Sequence, residues 1–374
     1  MGKILNEPKL YWVGFNLVRG IGAARMQALI NHFGDVVSAW HAPGETLRAA
    51  GLSSKIVENF LQMRSSVDLE KVWQGIQAKD IQVLTWDDPE YPVRLKEIEL
   101  PPPVLYVRGG LLPEDEWAIA IVGTRRLTPY GRQVTTEIAG MLARSGISVV
   151  SGLARGIDGV AHKAALEAGG RTLAVLGNGV DRIYPPEHRL LAGEILRHGA
   201  LLSDYAPGTP PDGLNFPPRN RIIAGLSLAV VVVEAGESSG ALITATFAAD
   251  QGRDVFAVPG SITAPQSQGT NRLIQQGARP LLDPGEVLEA LNLTRAQMHR
   301  SARRELPANA TEQRLLSVLS QVPVHVDEIS RQTDLPIEKV TATLTMLELK
   351  GLARQVGAMN YISVRELGDD YRVE

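Results

Sequence analysis

Cysteine is absent from the 374 residues, which excludes disulfides, thiol nucleophiles and cysteine zinc sites. No apolar run approaches the ~20 residues that a membrane span requires. The first residues, Met1-Gly2-Lys3-Ile4-Leu5-Asn6-Glu7, carry no apolar signal-peptide core. The expectation is a cytoplasmic protein with no membrane partner. A basic excess is missing too. The formal net charge is −3, and residues 117–290 hold 15 Lys+Arg against 15 Asp+Glu. Fourteen of those 15 cations are arginine, Lys163 being the exception, so an anion site must come from local clustering of arginines.

Chemical signatures are sparse as well. No Gly-x-x-x-x-Gly-Lys-Ser/Thr loop occurs, which argues against a P-loop NTPase. The dinucleotide fingerprint fails twice: Gly123 is followed by Arg125-Arg126, and Gly177-x-Gly179 meets Arg182 where the last glycine belongs. The seven histidines include no pair at metal-ligand spacing, and none lies beside a nucleophile. The carboxylates Asp158, Asp181, Asp204, Glu234 and Glu237 are too scattered to assign as a catalytic pair. No catalytic residue, metal or cofactor is expected, and binding without chemistry is the better reading.

What is present is a chain with ordinary composition for a soluble globular protein, 44% hydrophobic and 21% charged. Residues 1–66 read as short helices. Leu17-Val18-Arg19-Gly20-Ile21-Gly22 forms a glycine hairpin before a helix with Met26, Leu29, Ile30 and Phe33 on one face. A weaker copy runs from Leu47 through Gly51-Leu52 to Phe60. This resembles a helix-hairpin-helix or SAM-like module, either binding phosphate or serving only as packing.

Residues 67–291 form the core. Apolar strands are expected at Ala118–Val122, Ser148–Val150, Thr172–Leu176, Ala200–Leu202, Leu228–Val233 and Val255–Val258, with amphipathic helices between most of them. Two further strands precede them, Ile81–Trp86 and Val104–Val107. Continuous apolar strands alternating with helices indicate an α/β, Rossmann-like, doubly wound and mostly parallel sheet. Residues 292–310 read as a linker. Residues 311–374 read as a winged helix, with helices Glu312–Leu319, Val326–Thr333 and Ile337–Lys350 and two strands around Gly357. Its third helix carries Glu338, Lys339 and Glu348, too little cation for groove reading, so an accessory or protein-contact role is favoured.

Ligands of open parallel sheets bind beyond the carboxyl ends of the strands. There the sequence places Gly123-Thr124-Arg125-Arg126, then Ser151-Gly152-Leu153-Ala154-Arg155-Gly156-Ile157-Asp158, and Glu234 through Ser239-Gly240. Asp158 has a simple alternative, capping and orienting the Ser151 loop. Phe216-Pro217-Pro218-Arg219-Asn220-Arg221 begins a helix, where free amides and the helix dipole favour an anion. Glycines let amides approach phosphate, and arginine adds a planar fork of donors.

With these motifs in one order, the chain resembles the DNA processing protein A (DprA/Smf) family. The resemblance also rests on Gly177-x-Gly179-x-Asp181-x-x-Tyr184-Pro185, Ser239-Gly240-x-Leu242-Ile243-Thr244, Val258-Pro259-Gly260 and Gly269-x-Asn271-x-Leu273-Ile274. It implies a non-enzymatic single-stranded DNA-binding protein, dimeric through its Rossmann-like domain. Such a protein protects incoming DNA and loads the recombinase RecA onto it in natural transformation and recombination. By position, Arg125, Arg219 and Arg221 would hold phosphates, Arg126 adds charge at the same edge, and Gly123, Thr124, Ser151, Gly152 and Gly156 would shape the pocket. Phe216 and Asn220 would meet base or sugar, with Ser239 and Gly240 on the neighbouring loop. Leu273 and Ile274 are candidate dimer or RecA anchors, core packing being the alternative. Relatives often carry lysine just after Tyr-Pro. Here Pro186-Glu187-His188-Arg189 follows, so Arg189 or His188 replaces that contact or it is lost. Rival readings are a nucleotide hydrolase, whose Pro-Gly-Gly-x-Gly-Thr-x-x-Glu motif is absent, and a winged-helix regulator of duplex DNA.

Overall fold

The structure is a computed structural model that describes residues 8–291, 310–320, 323–349, 352–356 and 359–363. The chain divides into two compact units, Met1–Val287 and Leu288–Glu374.

The first unit begins with six helices: α1 (Lys9–Asn16), α2 (Ala23–Phe33), α3 (Val36–His41), α4 (Gly44–Ala49), α5 (Ser54–Ser66) and α6 (Leu69–Gln77). The two hairpins read from sequence are both present, α1 to α2 and α4 to α5. Each turns on a glycine of positive φ, Gly20 at 100° and Gly51 at 95°. They share one apolar centre, in which Phe15 stacks on Phe60 at 5.0 Å and Trp40 meets both rings edge-on. That centre is not closed on itself. It runs without a break into Val83, Tyr106, Ala174, Ile195 and Leu201 of the region that follows.

Nine strands form one sheet: β1 (Gln82–Thr85), β2 (Val104–Gly109), β3 (Ala118–Val122), β4 (Ser148–Ser151), β5 (Thr172–Val175), β6 (Gly199–Ser203), β7 (Ala229–Val232), β8 (Asp254–Ala257) and β9 (Arg279–Pro280). Their spatial order is β1-β2-β6-β5-β4-β3-β7-β8-β9. Strands β3 to β9 pair in parallel, while β1 and β2 add an antiparallel margin beyond β6. Central strands such as Ala-Ile-Ala-Ile-Val of β3 are buried at every position, as a sheet covered on both faces requires. Alternation sorts their side chains: Val104 and Tyr106 face the N-terminal helices, whereas Leu105 and Val107 face the other layer.

The connecting helices are α7 (Val93–Lys96), α8 (Pro129–Arg144), α9 (Ile157–Glu167), α10 (Arg189–His198), α11 (Phe216–Gly225), α12 (Gly240–Asp250), α13 (Gln268–Gln275) and α14 (Glu286–Ala290). Helices α7, α11 and α12 join one core with the second face of the sheet. The Rossmann-like reading holds, and the structure adds β9, which the sequence pattern does not reveal. Its proline cannot donate to a ladder, consistent with its place at the sheet edge.

The second unit contains α15 (Ala310–Leu316), β10 (Val324–His325), α16 (Val326–Thr333), α17 (Ile337–Leu349), β11 (Ala353–Gln355) and β12 (Asn360–Ser363). The strands order as β10-β12-β11 around a core of Leu315, Ile329, Val340, Leu344, Leu347 and Tyr361. This is the expected winged helix, with β10 as an addition. The expected linker, 292–310, lies outside the described residues up to its last position.

Candidate nucleic-acid interface

Strand order reverses between β3 and β7, and the loops leaving those two strands are tied together. The Thr124 amide donates to the Glu234 carbonyl at 2.7 Å. The Glu234 carboxylate, buried, accepts from the Thr128 amide at 2.9 Å and from the Thr128 hydroxyl. Thr128 is the N-cap of α8, so this carboxylate sits at that helix's positive end.

A cleft of about 870 Å3 opens at this switch point. Gly123, Thr124, Arg125 and Arg126 line one side, Ser239 and Gly240 line another, and Phe216, Arg219 and Asn220 line a third. Residues as far apart in sequence as Gly123 and Gly240 thus meet through topology alone, as open α/β sheets dictate. Arg125 and Arg126 are exposed and form no ion pair among the described residues. The Arg125 guanidinium lies over the Phe216 ring at 5.7 Å, and Phe216 stacks with Tyr184 at 5.8 Å.

Arg219 differs from them. Only 4% of it is exposed, and its Nη1 donates to the Val175 carbonyl at 2.7 Å. Burial lowers its pKa to about 10, against the attraction of Asp158. Asp158 is buried as well. Burial raises its carboxyl above the usual range, while the charge of Arg219 and the amides of Ala154 and Gly152 pull it back. Asp158 Oδ2 accepts from the Gly152 amide at 3.1 Å and from the Ala154 amide at 3.3 Å, the capping role considered from sequence. The Gly152 α-carbon packs against the Arg219 guanidinium. Gly156 is needed for a similar reason, since an added β-carbon would stand 2.2 Å from the Thr124 carbonyl oxygen.

The same loop is held from below by two histidines. Leu153, at φ 56°, is left-handed backbone that a non-glycine residue adopts at a cost of about 1–2 kcal/mol. Its amide donates to His162 Nε2 at 3.3 Å, and its carbonyl accepts from His188 Nδ1 at 2.9 Å. His162 is fully buried, and burial pushes its pKa down to about 3. Neutral, with Nε2 accepting, it carries its proton on Nδ1 and donates to Thr172 Oγ1 at 2.6 Å. The Thr172 hydroxyl passes the chain on to the Val149 carbonyl.

Several sequence-named residues lie off the cleft lining. Ser151 is buried and donates to the Ile121 carbonyl, inside the sheet. Arg189 is exposed in the first turn of α10. His188 turns inward to Leu153, and Glu187 pairs with Arg155, so the segment after Tyr184-Pro185 braces the loop. Arg221 turns away from the cleft and pairs with Asp204 at 2.8 Å. Leu273 and Ile274 are half-buried on α13, and Leu273 packs on the core. The structure also brings Tyr184 and Gln266 to the lining. Gln266, in a polar Pro-Gln-Ser turn, carries no sequence signal.

This architecture defines a class: a Rossmann-like core with an arginine-lined cleft at its switch point, joined to helical hairpins and accompanied by a winged helix. The profile of DNA recombination-mediator protein A matches residues 82–292, and that of the DprA winged helix domain matches residues 299–359. The chain belongs to the DNA processing protein A (DprA/Smf) family. It is 37% identical to protein Smf of Synechocystis sp., over 95% of this chain and 99% of the relative. It is 35% identical to protein Smf of Escherichia coli, over 87% and 91% respectively. Among solved structures, it resembles DNA processing protein A from Streptococcus pneumoniae with a TM-score of 0.67 and 34% identity, over 75% of this chain and 97% of that one. The Helicobacter pylori protein, described for its single-stranded DNA binding mode, matches with a TM-score of 0.52 and 31% identity, over 57% and 97%. Among the described residues, no helix is long and apolar enough to cross a membrane.

Proposed function

We propose that this chain binds single-stranded DNA in the cleft between β3 and β7, protects incoming strands and hands them to RecA in natural transformation and recombination. It does so without catalysis, in the cytoplasm, as a dimer through the Rossmann-like domain, with Leu273 and Ile274 as anchor candidates. One observation carries the reading. Two exposed arginines without an ion-pair partner among the described residues, Arg125 and Arg126, stand at the mouth of a cleft whose wall is a stacked aromatic pair, Phe216 and Tyr184. Arginines neutralise phosphates, and aromatic faces accept any unstacked base, a combination suited to single strands. Arg219 contributes a fixed charge from the cleft floor.

Binding to oligo-dT should weaken with salt, with a log–log slope of about −0.7 per phosphate contact. Arg125→Ala should make the slope shallower by about that amount and weaken all sequences alike. Equal affinity of wild type and Arg125→Ala at two salt concentrations would overturn the site. Preference for duplex over single strand in direct competition would overturn the ligand.

A further inference from the structure

The Arg221–Asp204 pair is set in a joint that reaches from the site helix to the N-terminal helices. Arg221 Nη2 donates to Asp204 Oδ2, with the two side chains 17% and 16% exposed. Asn16, the last residue of α1, donates from Nδ2 to the Asp204 carbonyl at 3.2 Å. Tyr106, fully buried on β2, donates its hydroxyl to Asn16 Oδ1 at 2.9 Å. From the other side, Gln251 Nε2 donates to the Arg221 carbonyl at 3.1 Å, tying the end of α12 to α11. Nη1 of Arg221 and Oδ1 of Asp204 are themselves buried, with no hydrogen-bond partner among the described residues. Losing either side chain therefore leaves its mate as an uncompensated, largely buried charge.

We infer that Arg221 is a positioning residue: with Asp204 and Asn16 it locks α11, and with it Phe216, Arg219 and Asn220, to the N-terminal helical module, and it makes no contact with the strand. This rests on the cleft being the strand-binding site. The helical module then belongs to the scaffold of the site, as the unbroken core beneath it also requires.

The joint and a direct phosphate contact give opposite signs for one substitution. If Arg221 gripped phosphate, Asp204→Asn would release it and tighten binding. As a joint, Asp204→Asn weakens oligo-dT binding about tenfold by loosening the prepared geometry. Arg221→Ala weakens it similarly, and neither changes the salt slope. Asn16→Ala speeds amide hydrogen exchange in α11, a readout independent of any ligand. Tighter binding by Asp204→Asn, a slope made shallower by about 0.7 in Arg221→Ala, or unchanged exchange in Asn16→Ala overturns the proposal. Should Arg221→Ala not fold, Asp204→Asn and Asn16→Ala still decide it. Arg125→Ala is the separate control: if it leaves binding unchanged, the cleft reading fails, while the exchange result stands alone.

Discussion

Gly152 and Arg219 compete for the same space: a β-carbon built on Gly152 would stand 1.9 Å from Nη1 of Arg219. That guanidinium cannot retreat freely, because Nη1 is already bonded to the Val175 carbonyl. Gly152→Ala should therefore destabilise the protein by about 1–3 kcal/mol, the range for overpacking. It should also weaken oligo-dT binding by displacing Arg219. A β-carbon added to Gly240, at the start of α12, would meet nothing within 4 Å, so Gly240→Ala should leave stability unchanged. Urea melts of the two variants check the contrast.

Arg219→Ala should behave unlike Arg125→Ala. Removing a buried guanidinium leaves Asp158 without its compensating charge, at a stability cost of about 3–5 kcal/mol. Arg125 is exposed, so its removal should alter the salt dependence of binding and leave the denaturation midpoint unchanged. Measuring both quantities for both variants separates the floor of the cleft from its mouth.

Phe216 carries the aromatic contribution. Its replacement by alanine removes the stack on Tyr184 and the support beneath Arg125. The expected loss is about 1–3 kcal/mol in single-strand affinity, the range for one stacked base. The loss should be similar for oligo-dT and oligo-dA, since stacking tolerates every base.

Stability should fall on acidification because of His162. Its folded pKa, about 3, lies below its ordinary 6.5. Between those values the unfolded chain takes up a proton that the folded protein refuses, so the folded state loses ground as pH drops below 6.5. The contribution amounts to about 2 kcal/mol between pH 7 and pH 5. His162→Gln should be less stable at pH 7 but show a flatter stability profile across that interval, measurable by thermal melts at each pH.

Most of the strand plan is legible in the sequence because doubly covered strands are continuous apolar runs, as β3 and β7 are. Strand β9 is not, since Arg-Pro has no strand preference and its pairing comes from β8. The loops of the cleft are legible as glycine and arginine clusters at strand ends. The direction of each arginine is harder to read. Arg219 and Arg221 look equivalent as an Arg-Asn-Arg triplet, yet two residues on a helix differ by about 200° in direction. One faces the cleft and the other faces Asp204. Helical periodicity holds that signal, whereas the triplet as a motif hides it. Glu234 is visible only as an isolated acid, because its side-chain partner Thr128 lies on another loop.

Glu234 has a consequence for competing ligands. In dinucleotide-binding folds, the turn after the first strand leads into a helix whose amino end receives a pyrophosphate. Here that end, the first turn of α8, already holds a carboxylate of the protein itself. A β-carbon on Gly131 would lie 2.2 Å from its Oε2. A free diphosphate arriving there would meet like charge in an occupied seat. On the single-strand reading of the cleft, that seat is closed to the pyrophosphate of a free nucleotide while the rest of the cleft stays open.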